Sequence, residues 1–401
     1  MFKNSQIQFG ILDTFVYFHR MDFVLLSSLV AFLVTFLSIP VIIRVAELKH
    51  LYDLPDDRKH HPFPIPSLGG VGIFAGFILT LLLLWPAGVH AEMQYLVAAF
   101  LIVFFLGLKD DIIILTPLKK FIGQMAAAGL LIFKADLLIT GLHGFFGIQE
   151  LPLIWSYVFT FFTFLVIINS FNLIDGVDGL AGSLGILSTS LFGAYFLFTG
   201  DAFYSILAFS LSGSLLAFLI YNVSPAKIFM GDTGSLLMGI VNAILVIKFI
   251  QQATNAGAVL PLPAAPAIGF AILFVPLFDT LRIFAYRIFN RRSPFSPDRN
   301  HVHHILLAKG CSHPVVTALI VLFNMVVILL TYLGRPLGNT ILLMVLNAAG
   351  FVLIGLLIYT GRNKRQLFSG KSLNQDSIEE PLKVIKIHSG GEESDSKEIA
   401  K

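Results

Sequence analysis

The chain has 401 residues, of which 56% are hydrophobic and only 13% charged, with a mean hydropathy of +0.84 and a formal net charge of +3. A soluble domain carries about 25% charged residues, so this composition excludes a water-soluble protein and describes one that crosses a membrane repeatedly. The small net charge singles out no partner beyond anionic lipid and gives no sign of nucleic acid, and the single cysteine, Cys311, makes neither an internal disulfide nor a thiolate zinc site.

Residues 1–21 are mixed in polarity, with Asp13, His19 and Arg20 interrupting the run, which fits a segment at the membrane interface better than a cleavable signal peptide. A hydrocarbon core of roughly 30 Å needs about 20 residues of helix. Apolar stretches of that order follow at 22–43, 67–86, 94–108, 121–134, 152–171, 179–199, 203–221, 234–251, 262–286, 313–333 and 338–360. In lipid only helices or closed barrels satisfy the backbone, and uninterrupted apolar runs without alternation exclude the barrel. The expected fold is therefore all-α, a polytopic bundle of about eleven transmembrane helices. Residues 361–401 turn polar, with acids and bases in near balance, and read as a mobile, disordered cytoplasmic tail.

Basic residues in short loops set the orientation. With the N-terminus outside, inner loops hold Arg44, Lys49, Arg58, Lys59, Lys109, Lys119, Lys120, Lys227, Arg287, Arg291, Arg292, Arg299 and Lys309, whereas outer loops hold Lys134 and Arg335. On that topology every polar cluster falls on the inner face: "HHPFPIPSLGG" (60–70), "GLKDDIIILTPLKK" (107–120), "NSFNLIDGVDGLAG" (169–182), "YNVSPAKIFMGDTGS" (221–235) and "RRSPFSPDRNHVHHIL" (291–306). A transporter would place ionisable groups near the midplane, often at broken helices. Concentration at one surface suggests instead an enzyme with catalytic loops at the cytoplasmic interface.

Each cluster carries its own chemistry. Adjacent carboxylates such as Asp110 and Asp111 are unfavourable unless a cation relieves them, and Lys119 and Lys120 lie one short loop later. Asn169, Asn172, Asp175 and Asp178 recur every third residue, a spacing that puts neighbours on one helix face; caps between two helices would explain one or two of them. Gly176 and Gly179 permit a tight turn or the close approach of a ligand. Asp232, just before a span, suits a helix cap or a magnesium ligand, because Mg²⁺ takes one or two protein oxygens together with substrate phosphates. Phe229 is placed either to stack on a base or simply to pack. Arg299, His301, His303 and His304 form a compact cationic loop that suits a diphosphate better than zinc. Together these are parts for phosphoryl transfer, with apolar spans beside them for a lipid-borne acceptor.

Four ordered motifs, "KDD" (109–111), "NLIDGVDGLAG" (172–182), "MGDTGS" (230–235) and "PDRNHVHHIL" (297–306), give the chain a resemblance from about residue 30 to 360. It resembles the polyprenyl-phosphate N-acetylhexosamine-1-phosphate transferases, glycosyltransferase family 4. The nearest branch is the bacterial undecaprenyl-phosphate N-acetylglucosamine-1-phosphate transferases that begin O-antigen, common antigen or teichoic acid synthesis. The resemblance implies a transmembrane phosphosugar transferase domain over 22–360, set in the bacterial inner (cytoplasmic) membrane with its active site facing the cytoplasm. It also implies Mg²⁺, with Mn²⁺ as a substitute, and a reaction of UDP-N-acetylglucosamine with undecaprenyl phosphate that releases UMP. Asp232, with Asn172, would hold the metal. Asp110, Asp111, Lys120 and Asp178 would form the catalytic group, one of Asp110 and Asp111 orienting or deprotonating the lipid phosphate and Lys120 contacting phosphate. Asn172, Asp175 and Asp178 would line the nucleotide side, with Phe229 near the uracil, while Arg299, His301, His303 and His304 would hold the sugar diphosphate.

Other readings stay open at this stage. The phospho-N-acetylmuramoyl-pentapeptide transferases are expected to show three consecutive histidines followed by Glu, where this chain has His301-Val302-His303-His304. Relatives with the same histidine pattern use other UDP-N-acetylhexosamines. A lipid or nucleotide-sugar transporter is the alternative from another class, and a homodimer is compatible with the sequence.

Overall fold

A computed structural model describes residues 2–51, 65–85, 92–255, 257–291 and 301–369. The described residues up to Leu356 form one compact unit, and those from Leu357 on belong to a second. The elements are α1 (Phe2–Lys49), α2 (Gly69–Leu83), α3 (Met93–Ile112), α4 (Pro117–Lys134), β1 (Gly141–Phe145), β2 (Ile148–Glu150), α5 (Leu153–Ile174), α6 (Leu180–Thr199) and α7 (Ala202–Asn222). After them come α8 (Gly231–Ala253), α9 (Ala265–Ile272), α10 (Phe274–Phe289), α11 (Val302–Ala308), α12 (His313–Leu333), a 3₁₀ turn (Arg335–Leu337) and α13 (Gly338–Ser369).

This is an all-α polytopic membrane protein, and helices cover all eleven of the expected apolar stretches. Among the described residues, seven helices are long and apolar enough to cross a bilayer: Met21–Lys49, Leu153–Ile174, Leu180–Thr199, Ala202–Asn222, Gly231–Ala253, His313–Leu333 and Arg335–Thr360. The pair α9 and α10, bent by 85°, raises the number to eight if it is one span, and α2, with 15 residues, is shorter. Residues 141–150, in the connection between two of the expected spans, form a two-stranded antiparallel hairpin, and residues 2–21 are helical and continuous with the first span.

Helix ends follow local chemistry. Pro117 opens α4, where its missing N–H is no loss. Asp201 caps α7 by accepting from the Tyr204 N–H at 3.2 Å. Buried along almost its whole length, α8 is the centre of the bundle, as expected for a helix that is apolar all round. It packs against α2, α3, α5 and α6, and large side chains such as Phe77, Phe100, Phe164 and Phe171 are completely buried in the interior. Since lipid is as apolar as these side chains, close packing rather than water exclusion holds such helices together.

Candidate active site

The polar motifs at 107–120, 169–182 and 221–235 meet at one end of the bundle. Lys120, in the first turn of α4, places its ammonium 2.6 Å from the Asp110 carboxylate at the end of α3 and 2.7 Å from that of Asp232 at the start of α8. Asn172, near the end of α5, donates to Asp232 at 2.9 Å and to the Ser235 hydroxyl at 3.0 Å. Four helices thus converge on Asp232. Asp110 also accepts from the Leu115 N–H at 2.7 Å, which ties it to the loop leading into α4. Burial works against charge on Lys120, but the carboxylates of Asp232 and Asp110 outweigh it and hold the ammonium above the usual lysine range. Asp110 is pushed above the ordinary carboxylate range by burial, with its bond to Lys120 opposing the rise.

Asp111 is bonded to the start of α8. Its carboxylate accepts from the Asp232 N–H at 2.7 Å and the Thr233 N–H at 3.0 Å, and from the Thr233 hydroxyl. It therefore caps the N-terminus of α8 and helps to hold Asp232 in place. Gly231 makes this possible: its φ is +70°, and a Cβ there would lie 2.7 Å from the Asp111 oxygens. Burial raises Asp111 to about 6, against the hydrogen bonds that favour its charge.

The three-residue series from Asn169 to Asp178 does not lie on one helix. Asn169, bonded to Gln124 at 2.8 Å, and Asn172 belong to α5, but that helix ends at Ile174. Asp175 follows at its C-terminus, raised to about 7 by burial and then by the charges of Asp232, Asp111 and Asp178. Asp178 lies beyond the turn and is buried against the start of α12, where its carboxylate is 3.3 Å from His313 Nδ1 and its carbonyl accepts from Thr317 at 3.0 Å. Its partners are on α12, whereas those of the Lys120 cluster are on α3, α5 and α8. Phe229 is half-buried and is held by its backbone, donating to Pro66 C=O at 2.8 Å and accepting from Gly69 at 2.9 Å.

The histidine loop is less exposed and less cationic than expected. His301 and His303 are buried, and His304 is half-buried. Burial, and then the charge of His304, hold His303 down at about 3, so it is a neutral imidazole at neutral pH. Among the described residues neither ring nitrogen of His303 has a hydrogen-bond partner. Its Nε2 lies 2.6 Å from where a Cβ on Gly176 would be, so the glycine of the Asp175 turn lets the two motifs touch. Arg299 lies outside the described residues.

Asp279 organises this loop, and the sequence reading passed over it. Located on α10, it is almost completely buried; its Oδ2 is 2.8 Å from His301 Nδ1, its Oδ1 accepts from Arg282 at 2.7 Å, and it also takes the Val302 N–H at 3.2 Å, at the start of α11. A carboxylate inside an apolar span was the available signal. His313 was missed for the same reason that Asp178 was misplaced, since their pairing bridges 135 residues of sequence.

For a divalent cation the donor chemistry fits. Asp110, Asp111, Asp175 and Asp232 set four carboxylates against one lysine, hard oxygen donors with charge to spare. Among the described residues no three histidine, cysteine or acidic side chains close a cage. A cavity of about 380 Å³, lined almost wholly by apolar groups, runs from the β1 hairpin at His143 along α5 and the second half of α8 to Leu277 and Leu281 on α10. Leu277 and Leu281 flank Asp279 on α10.

Residues 93–250 match the family model of glycosyl transferase family 4. Over 312 residues the chain is 33% identical to a probable undecaprenyl-phosphate N-acetylglucosaminyl 1-phosphate transferase of Bacillus subtilis, covering 77% of this chain and 84% of that one. It is 31% identical over 272 residues to the undecaprenyl-phosphate alpha-N-acetylglucosaminyl 1-phosphate transferase of Escherichia coli K12, covering 67% and 72% respectively. The protein of the same description from Salmonella typhimurium is 32% identical over 291 residues, 71% and 77% of the two chains.

Proposed function

Because the chain belongs to glycosyl transferase family 4, in the branch of the bacterial undecaprenyl-phosphate N-acetylglucosaminyl 1-phosphate transferases, we propose that it moves N-acetylglucosamine 1-phosphate from UDP-N-acetylglucosamine to undecaprenyl phosphate. An oxygen of the lipid phosphate attacks the phosphorus that carries the sugar, the P–O bond to the uridine phosphate breaks, and UMP leaves. The observation that carries this reading is the convergence of Asp110, Lys120, Asn172 and Asp232 from four separate helices. Such a cluster orients anionic groups and balances their charge, which is most of what phosphoryl transfer asks of a protein.

Asp232 would hold Mg²⁺, with Asp175 nearby, and the metal would supply neutralisation of the diphosphate oxygens. Lys120, already an ammonium between two carboxylates, is placed to exchange one of them for a phosphate oxygen. Asp110 is the better candidate than Asp111 to orient the lipid phosphate or take its proton, because Asp111 is committed to the α8 amides. Asn172 positions Asp232 through its amide. His301, held by Asp279, and the neutral His303 beside Gly176 would form the wall on which the sugar diphosphate rests, with His304 and Arg299 contributing and Phe229 next to the uracil. The apolar cavity beside α10 supports a lipid-borne acceptor. The excess of basic residues in one set of loops supports an eleven-span arrangement in the cytoplasmic membrane with the site facing the cytoplasm.

UDP-N-acetylglucosamine labelled with ³²P at the sugar-bearing phosphate tests the chemistry. Phosphosugar transfer carries the label into the lipid fraction, whereas ordinary glycosyl transfer leaves it in the nucleotide. Asp232→Asn should abolish the lipid label while the protein stays folded and membrane-inserted, and near-normal turnover of that variant would remove the proposed metal role.

A further inference from the structure

The sharp bend between α9 and α10 leaves two backbone groups without helical partners deep in the protein. In a continuous helix the Ile272 carbonyl would accept from the N–H of residue 276, but that residue is Pro276 and has none. The Val275 N–H, at the start of α10, is likewise an orphan donor of a helix N-terminus. One side chain meets both needs. Asn324 on α12, fully buried in the middle of an otherwise apolar span, accepts from Val275 N–H with Oδ1 at 3.1 Å and donates from Nδ2 to Ile272 C=O at 3.1 Å. In a water-free interior unsatisfied backbone groups are costly, so the amide makes the 85° bend tenable.

The bend matters because α10 carries Asp279. Six residues beyond Leu273, Asp279 lies about 9 Å along the helix from the break. A change of roughly 10° in the angle would move its carboxylate by about 1.5 Å, enough to break the bonds to His301 and Val302. We propose that Asn324 is a positioning residue for the active site: by pinning both sides of the α9–α10 break it fixes the direction from which α10 presents Asp279 to the histidine loop. This proposal rests on the phosphosugar transfer reading, and it concerns a residue that touches no substrate.

The test uses Asn324→Leu, which is nearly isosteric and removes both bonds, and the double variant Pro276→Ala/Asn324→Leu. In the double variant, residue 276 regains an N–H for Ile272, so the backbone is satisfied without a bend. Pairs of nitroxide labels on Phe289→Cys and Leu319→Cys, both exposed, in a Cys311→Ser background report the angle of α10 against α12 by pulsed electron resonance. Asn324→Leu should lose thermal stability, shift or broaden the distance distribution, and lower kcat/KM for the nucleotide sugar roughly tenfold or more, with little change in KM for the lipid phosphate. The double variant should regain stability yet keep the altered distance and low activity. Recovery of stability and activity together would reduce Asn324 to a structural role and overturn the proposal, as would an unchanged distance and wild-type kinetics in Asn324→Leu. Absence of UMP release by the wild-type protein would instead refute the reaction on which it rests, and the distance measurement would still decide the pinning.

Discussion

Replacing Lys120 by methionine is the sharpest perturbation of the proposed centre, because the unbranched side chain keeps all but its terminal atom's reach and loses its charge and donors. In the native protein the ammonium lies 2.6 and 2.7 Å from two carboxylates, with side-chain exposures of 27% for Lys120, 11% for Asp110 and 22% for Asp232. Those values place the pairs between an exposed ion pair, worth about 0–1 kcal/mol, and a buried one, whose disruption costs about 3–5 kcal/mol. We expect Lys120→Met to lose about 2–3 kcal/mol at pH 8. Left without their cation, the carboxylates can relieve part of this by taking up a proton, so the folded state binds protons more tightly than the unfolded one. Stability of the variant then rises as pH falls, and the deficit should shrink by about 1–2 kcal/mol at pH 5.5. Thermal unfolding in detergent with EDTA, which prevents a divalent cation from replacing the lysine, measures both numbers. Equal deficits at the two pH values, or none, would refute the role of Lys120 as the balancing charge.

Three further outcomes follow from the same geometry. Asp279→Leu should destabilise the protein by about 3–5 kcal/mol, as expected when one partner of a buried pair is removed, whereas Asp279→Asn, which keeps one acceptor oxygen, should be milder in unfolding assays while still raising KM for the nucleotide sugar. His303, neutral with its proton affinity lowered to about 3, contributes stability that is present above the unfolded value near 6.5 and is lost as pH falls towards 3. His303→Leu should therefore flatten the acid limb of the melting temperature between roughly pH 4 and 6, and an unchanged slope would contradict the burial of a neutral ring. Asp232→Asn should leave the melting curve near that of the wild type but yield no labelled lipid.

The candidate site was legible because polar residues are rare in so apolar a chain, so clusters such as Asp110–Asp111 and Asp175–Asp178 stood out. What the sequence did not show was how these residues divide their work. Nothing local distinguishes Asp110, which faces Lys120, from Asp111, which caps a helix that begins 120 residues later. The spacing from Asn169 to Asp178 suggested one face, but the chain turns after Ile174 because Gly176 packs on His303 and Asp178 pairs with His313, contacts that no periodicity contains. Asp279, with Thr280 and Arg282 beside it, and Asn324, a single amide in an apolar run, belong to no motif of the inner clusters, and only their partners 22 and about 50 residues away reveal their tasks. The hairpin at 141–150 is too short for alternation to register, and apolar runs alone do not decide whether 15 or 18 residues cross a bilayer.

The most direct measurement is the nucleotide released by the purified protein in detergent with Mg²⁺, undecaprenyl phosphate and a panel of UDP-sugars. Lipid-dependent release of UMP, greatest with UDP-N-acetylglucosamine, is the expected result. Release of UDP would mean that the sugar moves without its phosphate and would contradict the mechanism proposed here.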